Sequence, residues 1–224
     1  MSSYFDNVSK RYPGGHYGLR DVTLHIAPGE MVFLTGHSGA GKSTLLRLIG
    51  LLERATRGQI RVNGRTLSRV NSRQIPYHRR EVGMIFQDHR LLHNRTVFDN
   101  VALPLVVSGL GHRDIGRRVR AALDKVGLLD REKAYPVTLS SGEQQRVGIA
   151  RAVVSRPPLM LADEPTGNLD PELSADIMHL FEAFNDVGVT LLIASHDLAL
   201  ISTLPHRVIT LDHGQLVADS ADAA

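Results

Sequence analysis

The chain has 224 residues, 42% of them hydrophobic and 22% charged, which is enough apolar material for one α/β core with an inserted or appended subdomain. It contains no cysteine, which excludes a disulfide framework and any cysteine-based metal site. The net charge of +3 comes mostly from arginine, which suits phosphate and carboxylate contacts but is too small to argue for DNA binding. No apolar run approaches the roughly 18 residues of a membrane span. The opening Met1-Ser2-Ser3-Tyr4-Phe5-Asp6 lacks a basic segment followed by an apolar one, so no signal peptide is expected.

In chain order, residues 3–8 and 19–27 read as strands, the second with Val22, Leu24 and Ile26 in clean alternation. Between them, Tyr12 sits in a Pro-Gly-Gly turn; it suits either stacking on a purine ring or packing at a strand end. Residues 31–35 form a short apolar run that leads into Gly36-His37-Ser38-Gly39-Ala40-Gly41-Lys42-Ser43-Thr44. This matches G-x-x-x-x-G-K-[ST], and residues 42–49 continue as a helix. Strand, glycine loop and helix are what phosphate binding needs. The glycines let the backbone curl around phosphate oxygens, and the helix N-terminus adds partial positive charge. Lys42 is expected to reach the β- and γ-phosphates of a nucleotide, and the Ser43 hydroxyl to hold Mg²⁺.

Residues 58–65 read as a hairpin turning at Asn63-Gly64. Residues 82–86 are a buried strand ending at Gln87, where open α/β sheets hold ligands. Gln87 suits either Mg²⁺ and water coordination or a plain surface loop. From 96 to 155 the text is helical. An apolar pattern is interrupted by Pro104, an amphipathic helix covers 112–126 and a further helix 142–155. The polar face of the middle helix carries Arg113, Arg117, Arg118 and Arg120, a solvated face or a contact for anionic lipid or an acidic partner. Ser140 and Glu143 have capping-box spacing, and a serine at a helix N-terminus is also an anion site.

The α/β pattern resumes with an apolar strand ending in Asp163-Glu164, a helix over 171–187 capped by Asp170, and a strand over 190–194 ending at Ser195-His196. A hairpin over roughly 206–219 turns at Asp212-His213-Gly214, and the tail 221–224 is expected to fray. The glycine loop, Asp163-Glu164 and His196 all follow strand ends, and a parallel sheet gathers such ends on one edge. Asp163 then suits Mg²⁺ through its water shell, Glu164 the polarising of a water for attack on a γ-phosphate, and His196 a hydrogen bond to that phosphate. A kinase passing phosphate to a small acceptor is the competing chemistry.

The glycine loop, Gln87, the stretch Leu139-Ser140-Ser141-Gly142-Glu143-Gln144, Asp163-Glu164-Pro165-Thr166-Gly167-Asn168-Leu169-Asp170 and His196, in this order, resemble the ATP-binding cassette (ABC) ATPases over essentially the whole chain. Within that family the text is closest to the bacterial cell-division ATPases. Subunits of lipoprotein-release and macrolide-export systems are the near alternative, and nucleic-acid-linked ABC ATPases a remote one. The resemblance implies a P-loop NTPase cassette: a mostly parallel sheet core with an antiparallel β subdomain (1–88 and 156–224) and an inserted helical subdomain (about 89–155). It further implies ATP and Mg²⁺ as ligands, and a head-to-tail homodimer with each ATP between one chain's P-loop and the other's Ser140 and Gly142. Tyr12 would stack on adenine, Gln87 would link Mg²⁺ and water to an integral membrane partner, and Asp170 would lie at the dimer seam. It implies a peripheral place on the cytoplasmic face of the bacterial inner membrane, with no nucleic acid bound. One departure stands out: the family usually has Gly-Gly where this chain has Ser141-Gly142. A serine forced into a glycine-only conformation costs on the order of 1–3 kcal/mol, but Ser140–Glu143 already reads as a helix start, so Ser141 is expected to be harmless.

Overall fold

The computed structural model describes residues 2–167 and 169–223. In chain order its strands and helices are β1 (Ser3–Arg11), β2 (Tyr17–Ile26), β3 (Met31–Thr35), α1 (Lys42–Ile49), β4 (Arg57–Val62), β5 (Arg65–Thr66), α2 (Ile75–Arg80) and β6 (Val82–Ile85). There follow α3 (Val97–Val107), α4 (His112–Lys125), α5 (Ser141–Val153), β7 (Leu159–Asp163), α6 (Pro171–Asp186), β8 (Thr190–Ala194), α7 (Leu198–Ile201), β9 (Arg207–Asp212) and β10 (Gln215–Asp219). No helix among the described residues is long and apolar enough to cross a membrane.

Among the described residues the strands form two sheets. A four-stranded antiparallel sheet has the order β2-β1-β4-β5, and a six-stranded sheet the order β10-β9-β3-β8-β7-β6. The larger sheet is parallel from β9 through β6, and β10 closes its edge antiparallel to β9. Its central strands read as continuous apolar runs because both faces are covered. Alternation sorts their side chains. Met31 and Phe33 of β3 join Met160, Ala162, Leu191 and Ile193 in a core with α3 to α6. Val32 and Leu34 join Leu159, Leu161, Leu192 and Ala194 in a second core with α1 and the antiparallel sheet.

Local chemistry accounts for the boundaries. The hairpin between β4 and β5 turns on Asn63 (φ 49°) and Gly64 (φ 72°), the left-handed pair that a two-residue turn requires. The Ser140 hydroxyl accepts from the Glu143 backbone N–H at 3.2 Å while the Glu143 carboxylate accepts from the Ser140 N–H at 2.8 Å, a complete capping box. Asp170 caps α6 by accepting from the Leu173 N–H at 2.9 Å.

Several expectations shift in detail. β1 runs on to Arg11, so only the residues after it make the turn that holds Tyr12. α2 has too few residues for its periodicity to stand out, and the sequence does not announce it. α3 continues through Pro104 instead of breaking there. The tail turns once more as a 3-10 helix over Ser220–Ala223, with the Asp219 carboxylate accepting from the Ala221 N–H at 3.0 Å; Ala224 lies outside the described residues. Of the four arginines on α4, Arg117 pairs with Asp114 and Arg120 with Glu132, both at 2.9 Å in solvent, which is how a solvated face behaves.

Candidate functional site

The P-loop leaves β3 through Gly36, whose φ of 136° is open only to glycine. A Cβ there would strike the Leu211 carbonyl of β9 and come within 2.9 Å of the Ala40 Cβ, so the loop can hug the sheet edge only with glycine at this position. Residues 38–44 of the loop, with Gln87, Glu164 and His196, line a cavity of about 450 Å³. The strand ends of β3, β6, β7 and β8 thus converge at one mouth, as a parallel sheet dictates.

Lys42 is buried, and its ammonium donates to the carbonyls of Gly36 (2.7 Å) and His37 (3.3 Å) and lies 3.8 Å from the Glu164 carboxylate. The other Glu164 oxygen accepts from His196 Nδ1 at 2.8 Å and from the His196 backbone N–H at 3.3 Å. Glu164 itself sits at φ 49°, a left-handed conformation that costs a non-glycine residue on the order of 1–3 kcal/mol and that clusters at working sites. Its N–H is held by the Ala194 carbonyl at 2.9 Å, which fixes the carboxylate at the cavity mouth.

The Ser43 hydroxyl donates to Asp163 at 2.9 Å. Burial pushes the Asp163 carboxyl above its ordinary value; the Ser43 hydrogen bond and then Arg47 pull against that shift. Ser43, Gln87 and Asp163 also line an adjoining cavity of about 430 Å³. Hydroxyl, amide and carboxylate oxygens beside open space are the hard donors that suit Mg²⁺, which keeps several waters and phosphate oxygens as ligands. A divalent cation there would also offset the desolvation of Asp163. The residues present fit that ion.

Not every expected residue meets the cavity. Gly36 and His37 contribute carbonyls to Lys42, but the His37 ring faces Asp212 on the β9–β10 turn. The Tyr12 hydroxyl hydrogen-bonds Thr44 at 3.2 Å, which sets Tyr12 beside the loop; one face of its ring is stacked on His16, with centroids 5.0 Å apart. Ser140, Gly142 and Asp170 form a separate group. A Cβ on Gly142 would strike Leu173, so the start of α5 lies against the start of α6, which Asp170 caps. Ser141 is the first residue of α5 and has no left-handed φ, so its side chain adds no backbone strain. Asn168, part of the stretch that carries the family resemblance, lies outside the described residues.

Sequence reasoning missed a linkage behind Gln87. His89 and Arg90 both take left-handed φ (55° and 48°), and Arg151 of α5 donates to both their carbonyls at 2.6 Å. His89 Nδ1 meets the buried Gln145 Oε1 at 2.5 Å. A buried-helix glutamine and arginine carry no pattern that announces such a role.

The ABC transporter family model matches residues 19–167. The cell division ATP-binding protein FtsE of Escherichia coli K12 is 60% identical over 212 residues, covering 95% of this chain and 96% of its own. FtsE of Haemophilus influenzae is 51% identical, with 95% and 98% covered. Among solved structures, the dimeric post-hydrolysis state of the ATP-binding cassette MJ0796 bound to ADP and Pi superposes with a TM-score of 0.91 at 33% identity, covering 97% of both chains. With a family model spanning most of its length and relatives this similar from end to end, the chain belongs to the ABC transporter family, as an ATP-hydrolysing cassette resembling the FtsE proteins.

Proposed function

We propose that this chain is the ATP-hydrolysing subunit of a cell-division complex, peripheral to the cytoplasmic face of the bacterial inner membrane. In this reading it works as a head-to-tail homodimer on an integral partner of the FtsX type and couples ATP-driven closure to the activation of peptidoglycan hydrolases. The observation that carries the chemistry is the Glu164 carboxylate, held between His196 at 2.8 Å and Lys42 at 3.8 Å at the mouth of the P-loop cavity.

Phosphates enter along residues 36–44, and Lys42 exchanges its loop carbonyls for β- and γ-phosphate oxygens. Ser43, Gln87 and Asp163 would hold Mg²⁺, which neutralises charge on the β- and γ-phosphates when bound. Glu164 takes a proton from the attacking water, a contribution of roughly 10²- to 10⁴-fold. In the nucleotide-free chain the His196 ring N–H orients Glu164 through Nδ1, and with ATP bound that N–H turns to donate to the γ-phosphate instead. Tyr12 supplies an adenine platform, with His16 behind its ring. Ser140, Gly142 and Asp170 lie outside the chain's own cavity, which supports their serving the site of a second copy, and the MJ0796 cassette that this chain resembles is dimeric with ADP and Pi bound. A cytoplasmic helix of the membrane partner would dock near Gln87 and the helical subdomain.

Two experiments test this. Glu164→Gln is expected to bind ATP as the parent does and to lose single-turnover hydrolysis by at least about 10²-fold; unimpaired turnover would remove Glu164 from the mechanism. Purification from membranes is expected to bring down an integral protein with a large extracytoplasmic loop, together with division proteins. A lipoprotein-release or exporter permease in its place would keep the chemistry and overturn the biology.

A further inference from the structure

We infer that His37, Asp212 and His213 form a binding site for a divalent transition-metal ion of the zinc class, on the outer edge of the P-loop. The three side chains come from two turns that the backbone locks together. The Gly214 N–H donates to the Ala40 carbonyl at 2.9 Å, and the Arg20 N–H donates to the Gly214 carbonyl at 2.7 Å. This holds the β9–β10 turn against the P-loop with both rings and the carboxylate at the surface.

The spacing is that of a coordination sphere. His37 Nε2 lies 2.9 Å and His213 Nε2 3.8 Å from the same Asp212 oxygen, and one ligand atom from each residue falls within 4.8 Å of the others. Tetrahedral bonds of about 2.0–2.1 Å separate ligand atoms by about 3.3 Å, which these distances bracket. His213 is exposed and free to make the small rotation that closes the triangle. Among the described residues this is the one group of three histidine or acidic side chains spaced in this way.

The donor set chooses the ion. Two imidazoles and one carboxylate suit zinc and its neighbours, whereas Mg²⁺ and Ca²⁺ prefer oxygen alone. Three protein ligands leave a fourth position to water. The His37 ring also carries the outer support that metal-bound histidines have. Its Nδ1 faces the Ser38 carbonyl at 2.6 Å, and a hydrogen placed on that nitrogen leaves the Nε2 lone pair for an ion. Both His37 nitrogens therefore face acceptors, Ser38 on one side and Asp212 on the other. A neutral ring satisfies only one of them. A metal ion between Nε2 and the Asp212 carboxylate satisfies the second contact. His213, the second imidazole aimed at the same carboxylate oxygen, favours the metal.

The test is calorimetric titration of Zn²⁺ into the untagged, nucleotide-free full chain, with Asp212→Asn and His213→Asn beside it. Asparagine tolerates the left-handed backbone of position 213 (φ 45°) and keeps the turn. The expected result is one Zn²⁺ per chain, weakened at least about tenfold by either substitution. Binding that both variants leave unchanged would overturn the assignment, as would a chain that takes Zn²⁺ no more tightly than Mg²⁺. Imidazole nitrogen resonances of the unsubstituted chain decide the matter independently of the variants. Zn²⁺ is expected to shift the His37 and His213 Nε2 signals. Signals that ignore Zn²⁺ would overturn the assignment.

Discussion

Ser141 shows how much one backbone angle decides. As the first residue of α5 it needs no glycine, and the Ser140–Glu143 capping box already satisfies two backbone donors of the helix start. Ser141→Gly is therefore expected to lower the thermal midpoint slightly, since glycine is worse than serine in a helix by about 0.5 kcal/mol. If serine were strained there, the midpoint would rise. His78 makes a different kind of residue-scale case. It is fully buried, its Nε2 faces the Ile49 carbonyl at 2.7 Å, and its Nδ1 has no partner. Burial is the main cause that pushes its pKa below the ordinary value, outweighing the Ile49 hydrogen bond, which works the other way. The unfolded chain thus binds this proton more readily than the folded one. Stability from the neutral ring is fully present above the unfolded value of about 6.5 and is lost as pH falls from there through the lower folded value. His78→Gln is expected to flatten the fall in denaturation midpoint on acidification below pH of about 6.5, whatever it does to the midpoint at neutral pH. An unchanged slope would mean that other groups set it.

At the scale of elements, the strands, the P-loop helix and both caps were legible because each has a local cause: alternation, a glycine loop, or a serine or aspartate placed before an apolar run. The Asn63-Gly64 hairpin was legible for the same reason. The short helix α2 was not, because six residues make too few turns to show a period. The tie between α5 and the loop after Gln87 was not legible either, because nothing local to Arg151 or Gln145 points 60 residues back along the chain, on the order of a whole subdomain. Arg151 donates to two carbonyls of a loop held in left-handed φ, and burial lowers its pKa, with Asp88 opposing that shift. Removing it leaves those carbonyls without their donor. Arg151→Ala is expected to cost about 2 kcal/mol by denaturant titration, within the range for hydrogen bonds to charged groups. It should also speed amide exchange around residues 87–90 more than elsewhere. Uniform exchange would show that the loop holds itself.

The whole molecule divides its expected site residues into two groups, and that division was legible only as a family likeness. Strand-end logic gathers the P-loop, Gln87, Glu164 and His196 around one cavity. No such logic unites Ser140, Gly142 and Asp170. They meet because the starts of α5 and α6 touch, with Gly142 against Leu173, and they do so outside that cavity. In the head-to-tail pair proposed above, a single chain would hold half of each of two sites, and the pair would complete both. The arrangement makes a prediction about mixtures. Chains bearing Lys42→Ala lack a working P-loop, and chains bearing Gly142→Asp lack a working signature, so each alone is expected to be inactive in ATP hydrolysis. In a mixed dimer the two lesions fall in the same composite site, and the other site is assembled from the intact P-loop of one chain and the intact signature of the other. Mixing equal amounts is then expected to restore activity to about a quarter of the parent, because about half of the random pairs are mixed and each has one working site. Thermal midpoints near the parent's, and ATP binding retained by the Gly142→Asp chain, would show that both chains are folded. A mixture no more active than its inactive parts would mean either that hydrolysis is completed within one chain or that both sites must fire together. Dimers fused by a linker, carrying both lesions on one half, separate these outcomes. They place one lesion in each site, so a composite arrangement leaves them dead, while a chain that works alone keeps half of the parent rate.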